Sequence, residues 1–134
     1  MSKKLKHIKI LEEMNSYSND EKLFEMANIR QDITGLPVII WISIKMSNHG
    51  PRIKVQQNYS KKAAKDLMFS VTIENAPKII GDTGNLKQDD INKVVEFVIE
   101  HKNILLQYWN DKVGIDEVIK AFKEKNKLFE NEKI

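Results

Sequence analysis

The stretch "VIIWISIKMSNHGPRIKVQ", from Val38 to Gln56, decides the fold of this chain. Its first part is β-branched and apolar at every even position up to residue 44. Its last part, "RIKVQ", alternates cleanly, with Ile53 and Val55 inward and polar side chains outward. A histidine, a glycine and a proline separate the two parts at positions 49–51, and glycine and proline favour turns. The stretch therefore predicts a central strand and its antiparallel partner.

Two further segments extend this hairpin into a β-meander. The sequence "MFSVTIE" at 68–74 shows the same alternation and predicts a third strand. Residues 77–80 can add a short edge strand, because proline is tolerated at a strand's start. A helical turn is expected at 60–65. The sheet is therefore predicted to lie within residues 36–82 and to contain three to four strands.

Helices are predicted before and after this sheet. Residues 3–14 have apolar side chains at helical spacing, and the capping box "SNDE" at 18–21 begins a second short helix that continues through "KLFEMA". The segment 85–114 predicts a long helix with Asn85 as N-cap and Gly114 as terminator. A last helix is predicted at 115–129.

The long helix also predicts how the layers pack. Its apolar stripe is wide enough for two neighbours, so we expect it to cross the sheet and to meet the last helix with its flank. The chain is therefore predicted to be one α+β domain over 1–134, with helices on one face of a small antiparallel sheet. Its parts are an N-terminal helical segment at 1–34, the sheet at 36–82 and C-terminal helices at 85–130. The other face is left to solvent or a partner.

Composition restricts the class of protein. With 134 residues, 41% hydrophobic and 31% charged, the chain is expected to be soluble and globular. The absence of cysteine excludes disulfides, thiolate metal sites and thiol catalysis. The N-terminus is not expected to be a signal peptide, and no apolar run approaches the roughly 20 residues of a spanning helix. These features predict a cytoplasmic protein outside the membrane.

The distribution of charge is more informative than the formal net charge of +3. No acidic residue occurs between Ile33 and Lys65. The basic residues of that segment are Lys45, Arg52, Lys54, Lys61, Lys62 and Lys65.

This segment allows two interpretations. Lys45, Arg52 and Lys54 project from the helix-free face in one register, with Trp41 and Ser43 along the same side. Nucleic-acid binders use such a pairing of basic side chains with an aromatic ring that stacks on a base. Alternatively, the basic side chains keep solvent-facing strands soluble and discourage edge pairing, with Trp41 buried.

The histidines and one lysine are candidates for a polar site. His49 occupies a turn, where histidine is usually solvated. Lys102 follows His101 and lies near the centre of the apolar stripe, so its ammonium group either reaches past the sheet edge or meets a specific acceptor. The third histidine is His7, and no metal-ligand spacing is present. No metal, cofactor or catalytic residue is therefore predicted.

One short motif, Asp82-Thr83-Gly84, is the triplet of retroviral-type aspartic proteases. The long helices that follow it differ from the β-rich body of such proteases, and Asn85 replaces the usual small residue. The alternative is a turn that ends a strand and leads to the helix cap at Asn85.

A turn with His49 and Pro51 is followed, farther along the chain, by a helix that contains His101, Lys102, Leu105 and Trp109. This hairpin and helix together resemble the small bacterial domain-of-unknown-function family numbered forty-one sixty. The resemblance covers about residues 38–110. Arg52 to Lys54 stand where the family usually has further histidines. Members look like accessory proteins in toxin–antitoxin-like or mobile-element gene pairs, so the resemblance implies a binding role.

Three functions follow as hypotheses. The first is a non-catalytic binding module that contacts nucleic acid, or else an acidic protein, through Lys45, Arg52, Lys54, Lys61 and Lys62. The second is a protein–protein interaction subunit or inhibitor that docks through the N-terminal helices or the flank of the long helix. The third is a small hydrolase around His49 and His101, or around Asp82. The oligomeric state is left open, a dimer being one option.

Overall fold

The computed structural model describes residues 26–45, 49–64 and 67–132, with side chains described as far as Lys125. The helix predicted at 3–14, the capping box at 18–21, His7 and Lys65 lie outside these residues. The described elements are β1 (Met26–Ile29), α1 (Gln31–Thr34), β2 (Ile40–Ser43), β3 (Arg52–Gln56), β4 (Met68–Thr72), β5 (Ile79–Ile80), α2 (Gln88–Glu100), α3 (Lys102–Trp109) and α4 (Ile115–Glu132).

The described strands form one antiparallel sheet whose spatial order follows the chain, β1-β2-β3-β4-β5. In its register Lys54 of β3 pairs with Trp41 of β2 and with Ser70 of β4. The predicted α+β class and antiparallel meander are confirmed, and β2 is internal as predicted. The sheet has five strands rather than three to four, because β1 adds an edge that was not predicted. The two-residue β5 is the short edge strand predicted at 77–80.

The additional strand, β1, lies where a helix was predicted. Met26 and Ala27 belong to "KLFEMA", yet both pair with β2. Methionine and alanine favour helices when judged locally. The ladder to β2 and the burial of Ile29 instead stabilise an extended chain, so long-range pairing overrides the local preference. The segment predicted to be helical up to residue 34 therefore contains a strand followed by the single turn α1.

The helices α2, α3 and α4 pack on one face of the sheet, as predicted. Alternate residues of the strands and the apolar sides of these helices form one buried cluster. No helix within the described ranges is long and apolar enough to cross a bilayer. The cluster includes Ile29, Ile40, Ile42, Ile53, Val55, Phe69 and Val71 from the strands and Ile91, Val94, Phe97, Val98, Leu105, Tyr108, Val118 and Phe122 from the helices.

The segment predicted as one helix at 85–114 is two helices that meet at His101. The backbone of His101, with φ of −107° and ψ of 18°, leaves the helical conformation. Its amide and its ring Nδ1 both bond to the carbonyl of Phe97, at 3.0 and 2.9 Å. A side chain that competes for a backbone carbonyl in this way favours a local interruption. At the other end, Asn110 ends α3 before Gly114 is reached.

The start of α2 also differs from the prediction. Lys87 is the N-cap residue, while the amide of Asn85 donates to the carbonyl of Gln57 at 3.1 Å. The amide of Lys87 donates to the hydroxyl of Tyr59 at 2.7 Å. The first turn of a helix leaves amides without partners inside the helix, and here a distant tyrosine accepts from the amide at the N-cap.

Candidate nucleic-acid interface

The outer face of the sheet, opposite the helices, carries the predicted basic side chains of β3. Ile53 and Val55 are fully buried toward the helices, so Arg52 and Lys54 project to the other side. Both are half-buried. Arg52 faces Thr72 on β4, and Lys54 lies between the neighbouring strands' Trp41 and Ser70. The two side chains therefore project from one face of the sheet, opposite α2, α3 and α4.

Trp41 lies on the same face but is buried. Only 4% of its surface is exposed, and its indole Nε1 donates to Oε1 of Gln56 at 3.4 Å. A buried indole cannot serve as a stacking platform for a base unless its cover is displaced. The structure therefore favours the interpretation in which Trp41 is buried, and it removes the aromatic partner from the predicted basic surface.

Gln56 joins Trp41 to the loop that follows β3. It is fully buried, and its Oε1 also accepts from the amide of Ala64 at 2.8 Å. Its Nε2 donates to the carbonyl of Lys62 at 3.4 Å. One side chain thus holds the loop at 61–64 against the outer face. Lys61 and Lys62, both exposed, are thereby placed next to the end of β3.

A second set of bonds fixes the earlier part of this loop to the helical layer. The Tyr59 hydroxyl donates to Oδ2 of Asp90 at 2.7 Å and accepts from the amide of Lys87. The donated proton is the main reason that the pKa of Asp90 lies below its usual range, and the Lys93 ammonium adds to the effect. Gln31 also donates to the carbonyl of Ser60 at 3.2 Å. The loop is therefore anchored to α1, to α2 and to β3.

Lys45 is the last of the predicted basic residues and lies near the end of β3 that begins with Arg52. It is exposed and follows β2, on the side of the hairpin where β3 begins with Arg52. Its amide donates to the carbonyl of Trp109 at 2.9 Å, which ties this end of β2 to the end of α3. The five predicted residues therefore follow β3 from one end to the other. We name them the basic strip: Lys45, Arg52, Lys54, Lys61 and Lys62.

No acidic side chain in the described part of the chain neutralises the basic strip. The ion pairs found there lie elsewhere on the surface. Glu74, which follows β4 near Arg52, accepts from the hydroxyl of Thr72 at 2.5 Å. Among the described residues, the five side chains of the basic strip therefore have no ion-pair partner. The ion pairs are Arg30 with Asp32, Asp90 with Lys93 and Glu100 with Lys125.

The predicted polar site at His49, His101 and Lys102 is not one site. His49 is exposed, bonds through Nδ1 to the carbonyl of Gly50 at 3.0 Å and lies 5.7 Å from the ring of Trp109. Trp109 ends α3, whereas His101 precedes its first residue, so about 12 Å of helix separates the two ends. Lys102 is half-buried. A hydrolase that uses both histidines gains no geometric support.

His101 is a buried group that links α2 to α4. Its ring lies 4.2 Å from the ring of Phe97 and 4.9 Å from that of Phe122. Because a carbonyl can only accept, Nδ1 carries the proton in its bond to Phe97. Its Nε2 is buried and has no partner in the described structure. Burial lowers the pKa of His101 below its ordinary value, against the opposing effects of the Phe97 carbonyl and Glu100.

Acid should therefore destabilise the protein through His101. In the unfolded state the His101 ring takes up a proton near pH 6.5, whereas in the folded state its pKa is lower. The free energy of unfolding therefore falls as the pH drops below about 6.5. Urea denaturation between pH 7.5 and 5 measures the slope. His101→Phe should flatten it, whereas exposed His49→Asn should retain it. The charged groups that act on His101 are Glu100 and Lys125. If the free energy of unfolding depends equally on pH in wild type and in His101→Phe, His101 is not the source of the acid sensitivity.

Asp82 occupies a turn. Its Oδ1 accepts from the amide of Gly84 at 2.9 Å, and its carbonyl accepts from Nε2 of Gln57 at 2.6 Å. Gly84 has φ of +65°, and a Cβ there would lie 2.5 Å from Cβ of Gln57. The glycine is thus required by the turn and by close packing. The Asp-Thr-Gly triplet is therefore explained by the turn interpretation.

Metal ligation finds no geometric basis in the ranges that the structure describes. No group of three or more histidine or acidic side chains is arranged there to hold an ion. The residues that sequence reasoning missed are Gln56 and Tyr59, which place the loop that carries two of the basic residues. Nothing local signals them, because their partners lie on other elements. The resemblance that runs through His49 and His101 stays a prediction. A scan against family models and searches of curated proteins and solved structures find no match to this chain.

Proposed function

We propose that the protein is a non-catalytic binding module that contacts nucleic acid through the basic strip. The observation that carries the proposal is that the described ion pairs include no residue of the strip, combined with an acid-free segment from residue 33 to residue 65. The resemblance of residues 38–110 to a family of accessory proteins in toxin–antitoxin-like or mobile-element gene pairs implies a binding role of this kind.

The spacing of the strip suits a polyanion. Arg52 and Lys54 are alternate residues of β3, so their Cα atoms lie about 7 Å apart and both side chains leave the same face. Lys62 is held beside Gln56, the next outward residue of the strand. Charges arranged in this way along one line can meet successive phosphates of an extended strand.

The burial of Trp41 determines the kind of contact. With the Trp41 ring buried, the outer face of β2 and β3 offers ammonium and guanidinium groups to phosphates and no indole platform for bases. We therefore infer binding with little sequence preference and a strong dependence on salt. If all five residues of the strip contact a single strand, the slope of log K against log salt is about −3.5.

The test is charge reversal on β3. Arg52→Glu combined with Lys54→Glu should weaken binding of a fluorescent single-stranded oligonucleotide by about a hundredfold or more at 0.1 M salt, because attraction becomes repulsion. Fluorescence anisotropy at several salt concentrations measures both affinity and slope. Lys120→Glu combined with Lys123→Glu changes the charge equally on exposed positions of α4. Equal losses in the two variants, or binding that ignores salt, would refute the proposal.

A second candidate is an interaction subunit or inhibitor that binds protein. It is favoured by Ile79 and Ile80, which are 40% and 44% exposed on the edge strand β5. An exposed apolar edge can pair with another strand. Salt-insensitive capture of a protein partner that is lost in Ile80→Lys, and retained when the basic strip is reversed, would support this candidate over nucleic acid.

A further inference from the structure

The most unusual polar group on the outer face is the guanidinium of Arg52. Its Nε is shielded from solvent and has no hydrogen-bond partner in the described structure, although the residue as a whole is half-buried. Buried donors without acceptors are rare in folded proteins, and each calls for a physical explanation. The guanidinium is always charged and offers its donors in a fixed planar fork. The described residues therefore supply no acceptor for this donor.

The surroundings of Arg52 favour an anionic acceptor. Thr72 faces it on β4, Lys54 is the next outward residue of β3, and Ser43 lies on the same face of β2. These neighbours are hydroxyl or ammonium groups. The Thr72 hydroxyl donates to Glu74. The ion pairs of the described residues do not include Arg52. A ligand that brings its own negative charge would satisfy Nε.

We propose that Arg52 is the centre of an oxyanion site that binds a phosphate group. The fork of Nε and one terminal nitrogen pairs with two phosphate oxygens, and the ammonium of Lys54 adds attraction. The inference rests on the proposed function, since it assigns the specific contact within the basic strip. The other members of the strip are lysines, which act as point charges. The phosphate belongs either to a nucleic-acid backbone or to free inorganic phosphate.

A bound phosphate gives Nε of Arg52 a hydrogen-bond acceptor, in addition to contributing a new charged contact. In the free protein the donor is desolvated without compensation, so a phosphate that draws the guanidinium into a paired arrangement removes this cost as well. A lysine at the same position has no such donor. A positive charge alone therefore does not reproduce the site. A substitution that keeps the charge distinguishes a phosphate site at Arg52 from binding that depends only on the charge of the basic strip.

The decisive variant is Arg52→Lys. It should weaken binding of a single-stranded DNA oligonucleotide by about tenfold, because the paired hydrogen bonds are lost while the charge stays. Arg30→Lys, the same exchange at the exposed arginine outside the basic strip, should leave affinity within about twofold. If Arg52→Lys binds as tightly as wild type and retains its salt dependence, the Arg52 site is refuted and the proposed function stands.

A direct measurement does not depend on any variant. The chain has two arginines, Arg30 and Arg52, so an NMR spectrum of arginine Nε–Hε groups contains two signals. Titration with the oligonucleotide, and separately with inorganic phosphate, should shift the Arg52 signal. Arg30, whose Nε lies 3.7 Å from Asp32 on the exposed surface, is the internal control.

The two titrations also identify the source of the phosphate. A shift with the oligonucleotide at micromolar concentration and with phosphate only at millimolar concentration supports a nucleic-acid backbone. A shift with inorganic phosphate and no binding of the oligonucleotide supports the site but refutes the proposed function. An Arg52 signal that both titrations leave unchanged, or that moves no more than that of Arg30, refutes the site.

Discussion

Phe122→Ala is expected to lower the free energy of unfolding by about 3–5 kcal/mol, since a large buried ring is removed and a cavity remains. Phe122 is 1% exposed and contacts the rings of Phe97 and His101, each at a centroid distance of 4.9 Å. With Val118 it attaches α4 to the core. Because a domain of this size has a stability of about 5–15 kcal/mol, the variant should lose a large fraction of its stability.

Urea denaturation followed by circular dichroism measures this loss. Lys123→Ala changes the neighbouring exposed position of α4 and should shift the free energy of unfolding by less than about 0.5 kcal/mol. A loss below about 1 kcal/mol for Phe122→Ala would show that the site can collapse or that α4 does not depend on this ring. The same variant should reduce the acid sensitivity of His101, because that ring loses an aromatic neighbour that shields it from water.

Gln56→Leu is expected to lower the free energy of unfolding by about 2–4 kcal/mol despite its similar volume. Leucine accepts no hydrogen bond, so the indole N–H of Trp41 and the amide of Ala64 lose their acceptor. The carbonyl of Lys62 also loses its donor. Desolvated groups without partners are costly, and they would release the loop from the outer face.

Trypsin reports this release directly, because Lys61 and Lys62 are its cleavage sites within the loop. The variant should be cut there faster than wild type, and its tryptophan fluorescence should move to longer wavelength as Trp41 gains water. Gln107→Leu, an exposed position on α3, should alter neither property. Unchanged cleavage at Lys61 and Lys62 in Gln56→Leu would mean that Tyr59 and Gln31 hold the loop without it.

The alternating segments were predictable from the sequence because their signal is local. Ile53 and Val55 face the core while Arg52 and Lys54 face outward, and side-chain alternation in a strand requires this division. The same argument located the antiparallel meander and the helical region after residue 85. It also assigned Arg52 and Lys54 to the face of β3 that points away from the core.

Pairing between distant segments was not predictable in this way. Residues 26–29 have a helical local preference, and only the ladder to β2 makes them a strand. The start of α2 was placed at Asn85 by its residue type, whereas the hydroxyl of Tyr59 caps the helix at Lys87. The interruption at His101 depends on how α4 and its aromatic ring lie against the junction.

For this protein the sequence by itself determined which side chains alternate, where charge accumulates and which segments are apolar enough to pack. The tertiary structure decided that Trp41 is buried, that Gln56 holds the lysine-bearing loop and that Arg52 has an unused donor. The physical reason is that periodicity acts between neighbours in the chain. Hydrogen-bond satisfaction and burial instead depend on groups that only folding brings together.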